Sequence, residues 1–389
     1  MSYNTDVTSQ MSRPTIGLMA TLLSTAHNYR GAGIHKYSSR LLRHLPQQAP
    51  QFRYRAFVMD RAYEPPAGVE VIRSQRLSSR PASRILWEQT RVAQEARQLD
   101  LLHGFAYALP VLSRTPAVVT VHDLTFLLFP EAFLKSKQLY LARITAHSCR
   151  RARAVIADSQ ATADDLQRLL DVPAAKIHVI YTGVDAEYHP LPQDEVELYR
   201  QQKGWPQEFI LMVGTLEPRK NHLGLIKAYA RYRELARAPL PLLIGGGKGW
   251  FFAQIFQQIK ALGLEDSVHF LGFVPSEELP WLYNAATLFV YPSRYEGFGL
   301  PVAEAMRCGT PVITSTVSSL PEVAGEAGLV VDPDNTEELA HKMLLVLEQE
   351  PERLQTMRQD GLLQAAQFTW EKTAAQTAKV YAHLLQQSS

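Results

Sequence analysis

Short apolar runs rich in β-branched and aromatic residues alternate along this chain with longer stretches whose apolar positions recur every three or four residues. The first pattern reads as parallel strands buried on both faces, the second as amphipathic helices. A strand is expected at 14–20 and a polar loop with Arg30-Gly31-Ala32-Gly33 follows. Ile34, Tyr37, Leu41, Leu42 and Leu45 then fall on one helical stripe. Further strands are expected at 53–59, 69–72, 101–103, 117–121, 154–158 and 177–181. Helices are expected over 84–99, 136–153 and 160–170, the last with Ser159 as N-cap. Residues 182–205 carry prolines and charges without a clear period and read as a linker.

The alternation then restarts. It gives strand 209–213, loop 214–221, helix 222–237, strand 240–244, a run Gly245-Gly246-Gly247, helix 250–262, strand 268–271, helix 276–285 and strand 287–291. Strands at 312–314 and 329–331 and three helical runs complete the chain. Strands alternating with helices in both halves predict an α/β protein of two doubly wound, Rossmann-like domains facing each other across a cleft. The expected division is 1–190 and 191–369. A chain of 389 residues also exceeds what one ordinary core holds.

Composition narrows the class. With 46% hydrophobic and 20% charged residues the chain reads as soluble and globular. It has no run of about 18 apolar residues, and no apolar core of a signal peptide within 1–13. Two cysteines, Cys149 and Cys308, supply neither a disulfide framework nor a zinc pattern and suggest a reducing, cytoplasmic compartment. Charge is uneven: residues 1–190 carry 23 Lys and Arg against 15 Asp and Glu, the remainder 17 against 23. A basic N-terminal half suits an anionic acceptor or peripheral contact with an anionic membrane face. It is equally what a solvated surface looks like. No nucleic-acid partner is expected.

Three stretches carry candidate chemistry. In Ser293 to Met306, a strand leads through Glu296-Gly297-Phe298-Gly299-Leu300 into a helix, with Pro301 near its start and Glu304 about one turn inside. A helix start reached through glycines offers unpaired N–H groups to an anion. Glu296 and Glu304 flank it, which suits a ligand bearing phosphate and hydroxyls. A plain strand-to-helix turn with dipole-favoured acids fits the same residues. Gly214 to Asn221 also joins a strand to a helix and places Arg219 beside Lys220, a planar fork and a point charge for phosphate oxygens. His122 and Asp123 end the 117–121 strand, where ligands of open α/β sheets gather. His122 is expected to face the cleft, His103 to lie in the core. The Gly31–Gly33 loop does not complete a dinucleotide fingerprint, since Lys36 stands in its last position.

Gly31-Ala32-Gly33 with its helix, Val121 to Phe126, Gly214 to Asn221, and Glu296 with Glu304 occur in the order seen in retaining, nucleotide-sugar-dependent glycosyltransferases of family 4. From about Pro14 to its end the chain resembles that family, which has the GT-B fold. The resemblance implies that Arg219 and Lys220 hold the donor diphosphate and that Glu304 bonds the ribose hydroxyls. It implies that Glu296 faces the donor sugar and that the amides of Gly297, Phe298, Gly299 and Leu300 meet sugar and phosphate. Gly214 lies in the same donor site, and the backbone near Phe273 and Val274 would hold the base. His122 would touch the transferred sugar, and Gly31 and Gly33 would close over the phosphates. The helix over about 370–389 would cross back onto the first domain.

No Asp-x-Asp stands at a strand end, so no metal is expected. No cofactor is expected either, the nucleotide sugar being a co-substrate. Ile85-Leu86-Trp87-Glu88-Gln89 looks like the bacterial mannosyltransferase branch that builds surface polysaccharides. This favours GDP-mannose, then UDP-glucose or another UDP-sugar, with a glycan or lipid-linked acceptor. An epimerase or phosphorylase on the same scaffold, or a non-catalytic sugar-nucleotide sensor, are the other readings.

Overall fold

The computed structural model describes residues 13–24, 32–74, 81–250 and 252–387. Gly31 lies outside these. The N-terminal sheet is built from β1 (Thr15–Met19), β2 (Arg53–Val58), β3 (Val69–Arg73), β4 (Leu101–Gly104), β5 (Ala117–Val121), β6 (Ala154–Ala157) and β7 (Ile177–Val179). All pairs are parallel, in the order β3-β2-β1-β4-β5-β6-β7. The second sheet holds β8 (Ile210–Val213), β9 (Leu242–Gly245), β10 (Val268–Gly272), β11 (Leu288–Tyr291), β12 (Val312–Ser315) and β13 (Leu329–Val331). It is again all parallel, in the order β10-β9-β8-β11-β12-β13.

Every position of β4, β5, β6, β9, β11 and β12 is buried, because helices cover both faces of each sheet. The edge strands β3, β7, β10 and β13 are only partly buried. In each sheet the strand order reverses once, between β1 and β4 and between β8 and β11. Crevices that take ligands form at such reversals, beyond the carboxyl ends of the strands.

The helix expected over 84–99 is interrupted. An α-helix Pro81–Trp87 gives way to a π-helical turn Glu88–Val92, a short α turn, and a 3₁₀ turn Ala96–Gln98. The expected linker contains a helix, Gln193–Lys203, ended by Gly204 in the left-handed region at φ 67°. Acids fill its first turn and cations its last, as the macrodipole favours. It buries only Val196 fully, so its sequence shows no apolar stripe. The last helix, Trp370–Gln386, is capped by Thr369 and lays Trp370, Ala374, Ala378, Tyr381 and Leu384 into the core of the N-terminal sheet. No helix of the described residues is long and apolar enough to cross a membrane.

Candidate active site

At the reversal in the second sheet, β8 runs into the loop that carries Arg219 and Lys220 on a 3₁₀ turn, Pro218–Lys220. The neighbouring β11 runs into Glu296 and then the helix Leu300–Arg307. Glu296 is buried between them. Its Oε1 accepts from Lys220 Nζ at 2.6 Å, Ser293 Oγ at 2.7 Å and Tyr291 OH at 2.9 Å, while Oε2 pairs with Arg219 Nη1 at 2.9 Å. Arg219 also donates to Glu217 Oε1 at 2.8 Å and to the Tyr295 carbonyl at 2.5 Å. Its Nε has no hydrogen-bond partner among the described residues.

Burial alone would favour a neutral Glu296 carboxyl. Arg219 and Lys220 outweigh it and hold the pKa at about 2. Burial and the neighbouring Arg219 push the Lys220 ammonium below its usual range, with Glu296 and Glu217 pulling the other way. The cluster is thus two cations balanced by two buried carboxylates, with the Arg219 Nε–H unpartnered among the described residues.

The backbone of the turn is built for close approach. Gly299 sits at φ 102°, a conformation open to glycine, immediately before the helix. A Cβ on Gly297 would collide with the carbonyl oxygen of His122 in the other domain. Ser318 and Ser319 from the loop after β12 fasten the turn through the Glu296 and Phe298 carbonyls. Phe298 is buried beside Tyr181 and Phe368, and Leu300 packs on the domain core. A Cβ on Gly214 would meet only ordinary contacts with Tyr291 and Lys220. Val274 follows β10 and lies against Gly245 at the end of β9.

Glu304, on the inner side of the helix Leu300–Arg307, accepts from Tyr283 OH at 3.3 Å and from Lys36 Nζ at 2.7 Å. Lys36 comes from the N-terminal domain and also lies 3.2 Å from Asp185. Asp185 in turn accepts from Arg40 and Trp370. The two domains meet in several further contacts. Tyr295 OH donates to Asp165 at 3.0 Å and accepts from Leu124 N. Thr162 Oγ1 donates to the Gly297 carbonyl at 3.2 Å. Glu322 accepts from the Gln160 and Ala161 amides at 2.7 and 2.8 Å, at the start of the helix Gln160–Leu170.

His122 lies at the seam, but both ring nitrogens are engaged. Nδ1 faces Asp158 Oδ2 at 2.7 Å and Nε2 the Phe105 carbonyl at 2.8 Å. Burial opposes its charge, yet Asp158 more than compensates and raises its pKa. His103 is a core residue held by Tyr381 and Thr120, and burial drops its pKa to about 3. Gly33 lies in the first turn of the helix Ala32–Gln48 rather than in a loop, with open space where a Cβ would sit.

Of the sequence-predicted residues Arg219, Lys220, Glu296 and Glu304, the fold brings the first three into one cluster. Glu217, Tyr291 and Ser293, which complete that cluster, and Lys36 and Asp158 are not among the predicted residues. Glu217 and Ser293 sat inside the quoted stretches. Lys36 gave a signal only as the residue that broke a glycine fingerprint.

Two parallel-sheet domains, closed on each other around an ionic cluster at a strand-order reversal, have the architecture of GT-B glycosyltransferases. Residues 195–364 match the model of glycosyl transferases group 1, and residues 31–188 that of glycosyltransferase family 4. O-antigen chain mannosyltransferase B of Escherichia coli is 39% identical over 285 residues, covering 72% of this chain and 74% of that protein. The chain belongs to glycosyltransferase family 4 and is a glycosyltransferase. The serotype-specific mannosyltransferase WbdA of Escherichia coli is 31% identical over 278 residues, 70% of this chain but 34% of that longer protein. Among solved structures, sucrose-phosphate synthase from Thermosynechococcus elongatus superposes with a TM-score of 0.75 at 24% identity, covering 96% of this chain and 99% of that one. Anabaena Alr3699/HepE in complex with UDP and glucose gives 0.73 at 24% identity, covering 95% and 100%.

Proposed function

We propose that this protein moves a hexosyl residue, mannose from GDP-mannose in the favoured case and glucose or another sugar from a UDP-sugar in the next, to a glycan or lipid-linked acceptor with retention at the anomeric carbon. The observation that carries this reading is the buried Arg219–Lys220–Glu296 cluster at the start of the helix Leu300–Arg307. Similarity to two mannosyltransferases of Escherichia coli supports the choice of sugar.

In this reading the donor diphosphate lies between Arg219, Lys220 and the first-turn amides of that helix. Glu304 takes the ribose hydroxyls, exchanging its bond from Lys36 for theirs. As the bond from the anomeric carbon to the diphosphate oxygen breaks, negative charge builds on that oxygen. Fixed cations and amides stabilise it more in the transition state than in the ground state. The acceptor hydroxyl attacks from the same face and passes its proton to the departing phosphate. Glu296, held ionised by two cations, keeps them in place beside the donor sugar. His122, with both nitrogens occupied, supports the sugar from the seam through its shape and charge. No metal or cofactor takes part in the proposed mechanism. The basic N-terminal domain receives the acceptor, with peripheral contact at an anionic membrane face.

A panel of nucleotide sugars assayed for binding and turnover tests this. GDP-mannose should give the fastest turnover. Lys220→Ala should lower kcat/KM by about 10²- to 10³-fold, the range for losing one transition-state donor, with circular dichroism unchanged. Normal turnover in that variant would remove the phosphate clamp. Activity that survives EDTA would support the metal-free reading, and activity restored only by a divalent cation would end it.

A further inference from the structure

The strand-order reversal of the N-terminal sheet has its own crevice. Beyond the carboxyl ends of β1 and β4, Met19, Thr21, Ser38, Glu88, Phe105 and Ala108 enclose a small cavity. It leaves about 10 Å³ to the centres of water-sized spheres, room for one water or one hydroxyl group. Glu88 is 1% exposed and Ser38 is 1% exposed. Glu88 Oε1 is taken by Thr21 Oγ1 and by Arg84 Nη1 at 2.6 Å. Its Oε2 has no hydrogen-bond partner among the described residues, and neither has Ser38 Oγ.

A buried carboxylate oxygen without a donor is costly, more so than a neutral group. Two such orphans lining one cavity call for a polar group between them that can donate to Glu88 and accept from Ser38. Glu88 is held there by an irregular backbone, the π-helical turn that begins with it, and such turns recur at functional sites. The cavity also abuts the catalytic seam, since Phe105 lines it and accepts the hydrogen bond from His122.

We propose that this cavity is the specificity pocket for the acceptor, receiving one hydroxyl of a pyranoside. That hydroxyl donates to Glu88 Oε2 and accepts from Ser38 Oγ. The inference rests on the glycosyl-transfer reading above and names the part of the N-terminal domain that reads the acceptor. A site that bonds a hydroxyl through buried polar groups rejects an analogue lacking it, because those groups are then left unpaired.

The test uses the full-length enzyme and methyl α-mannopyranoside with its single-deoxy analogues as probes. Glycoside binding is followed by ligand-observed NMR, and acceptor KM is measured with the best nucleotide sugar. Glu88→Gln and Ser38→Ala, the second removing only a hydroxyl should the first fold poorly, should each raise acceptor KM at least tenfold, with donor KM within twofold. One deoxy analogue should lose binding to wild type and show no further loss with either variant. Equal glycoside binding and equal acceptor KM in wild type and variants would overturn the pocket and leave it a site for a structural water. Failure of every probe to bind wild type would overturn it also. If no nucleotide sugar is turned over but the variants still lose glycoside binding, the pocket stands and the donor reading falls.

Discussion

A carboxylate enclosed by protein is tolerable only when its lone pairs are used, and Glu296 uses them on Lys220, Ser293, Tyr291 and Arg219. Removing its charge leaves Arg219 and Lys220 buried with Glu217 as the remaining near carboxylate. Glu296→Gln is therefore expected to destabilise the fold by about 3 kcal/mol, as breaking a buried pair does, read as a lower midpoint in urea. The pH dependence has a definite sign. The folded pKa of about 2 lies below the ordinary value of 4.5. The stabilisation from Glu296 is thus fully present above about 4.5 and is lost as pH falls toward 2. The Glu296→Gln variant should show a flatter acid limb over that window. His122 behaves oppositely: its pKa is raised, so its pairing with Asp158 contributes below the ordinary histidine value and is lost as pH rises through the folded one. Asp158→Asn should remove an alkaline-side loss of stability that wild type shows.

At the scale of elements, two glycines of one turn set the geometry. Gly297 lets the turn after β11 reach the His122 carbonyl across the seam, and Gly299 admits the left-handed residue that starts the helix Leu300–Arg307. Gly297→Ala should hold the domains apart. The expected result is a larger radius of gyration by small-angle scattering, with nucleotide binding to the C-terminal domain kept and transfer lost by about 10²-fold, the cost of a 1 Å misplacement. The strands were legible in the sequence because buried parallel strands are continuous apolar runs, and β13 and the helix Gln160–Leu170 have the bounds that pattern gave. The helix Gln193–Lys203 was not, since its mostly polar surface hides the period. The π-helical turn at Glu88 was also illegible, because an inserted residue shifts the stripe without changing composition. In the site, the motif residues could be read from position alone. The partners Tyr291 and Ser293, and the reach of Lys36 to Glu304, depend on tertiary packing that one chain's spacing does not encode.

Across the whole molecule, the closed arrangement is an electrostatic one. Lys36–Glu304, Glu322 at the start of the helix Gln160–Leu170, and Tyr295–Asp165 tie the C-terminal domain to the N-terminal domain. The returning helix Trp370–Gln386 adds its own link, with Trp370 packed in the first core and donating to Asp185 at 2.7 Å. Trp370→Ala should cost about 3–5 kcal/mol, seen as a lowered thermal midpoint. The central claim is that the donor's diphosphate rests between Arg219, Lys220 and the amide-bearing start of the helix Leu300–Arg307. A crystal structure with bound GDP tests it most directly. The account predicts phosphate oxygens within about 3 Å of both side chains and of that helix start, with the ribose on Glu304. Phosphates bound elsewhere, with the Arg219–Lys220–Glu296 cluster untouched, would contradict it.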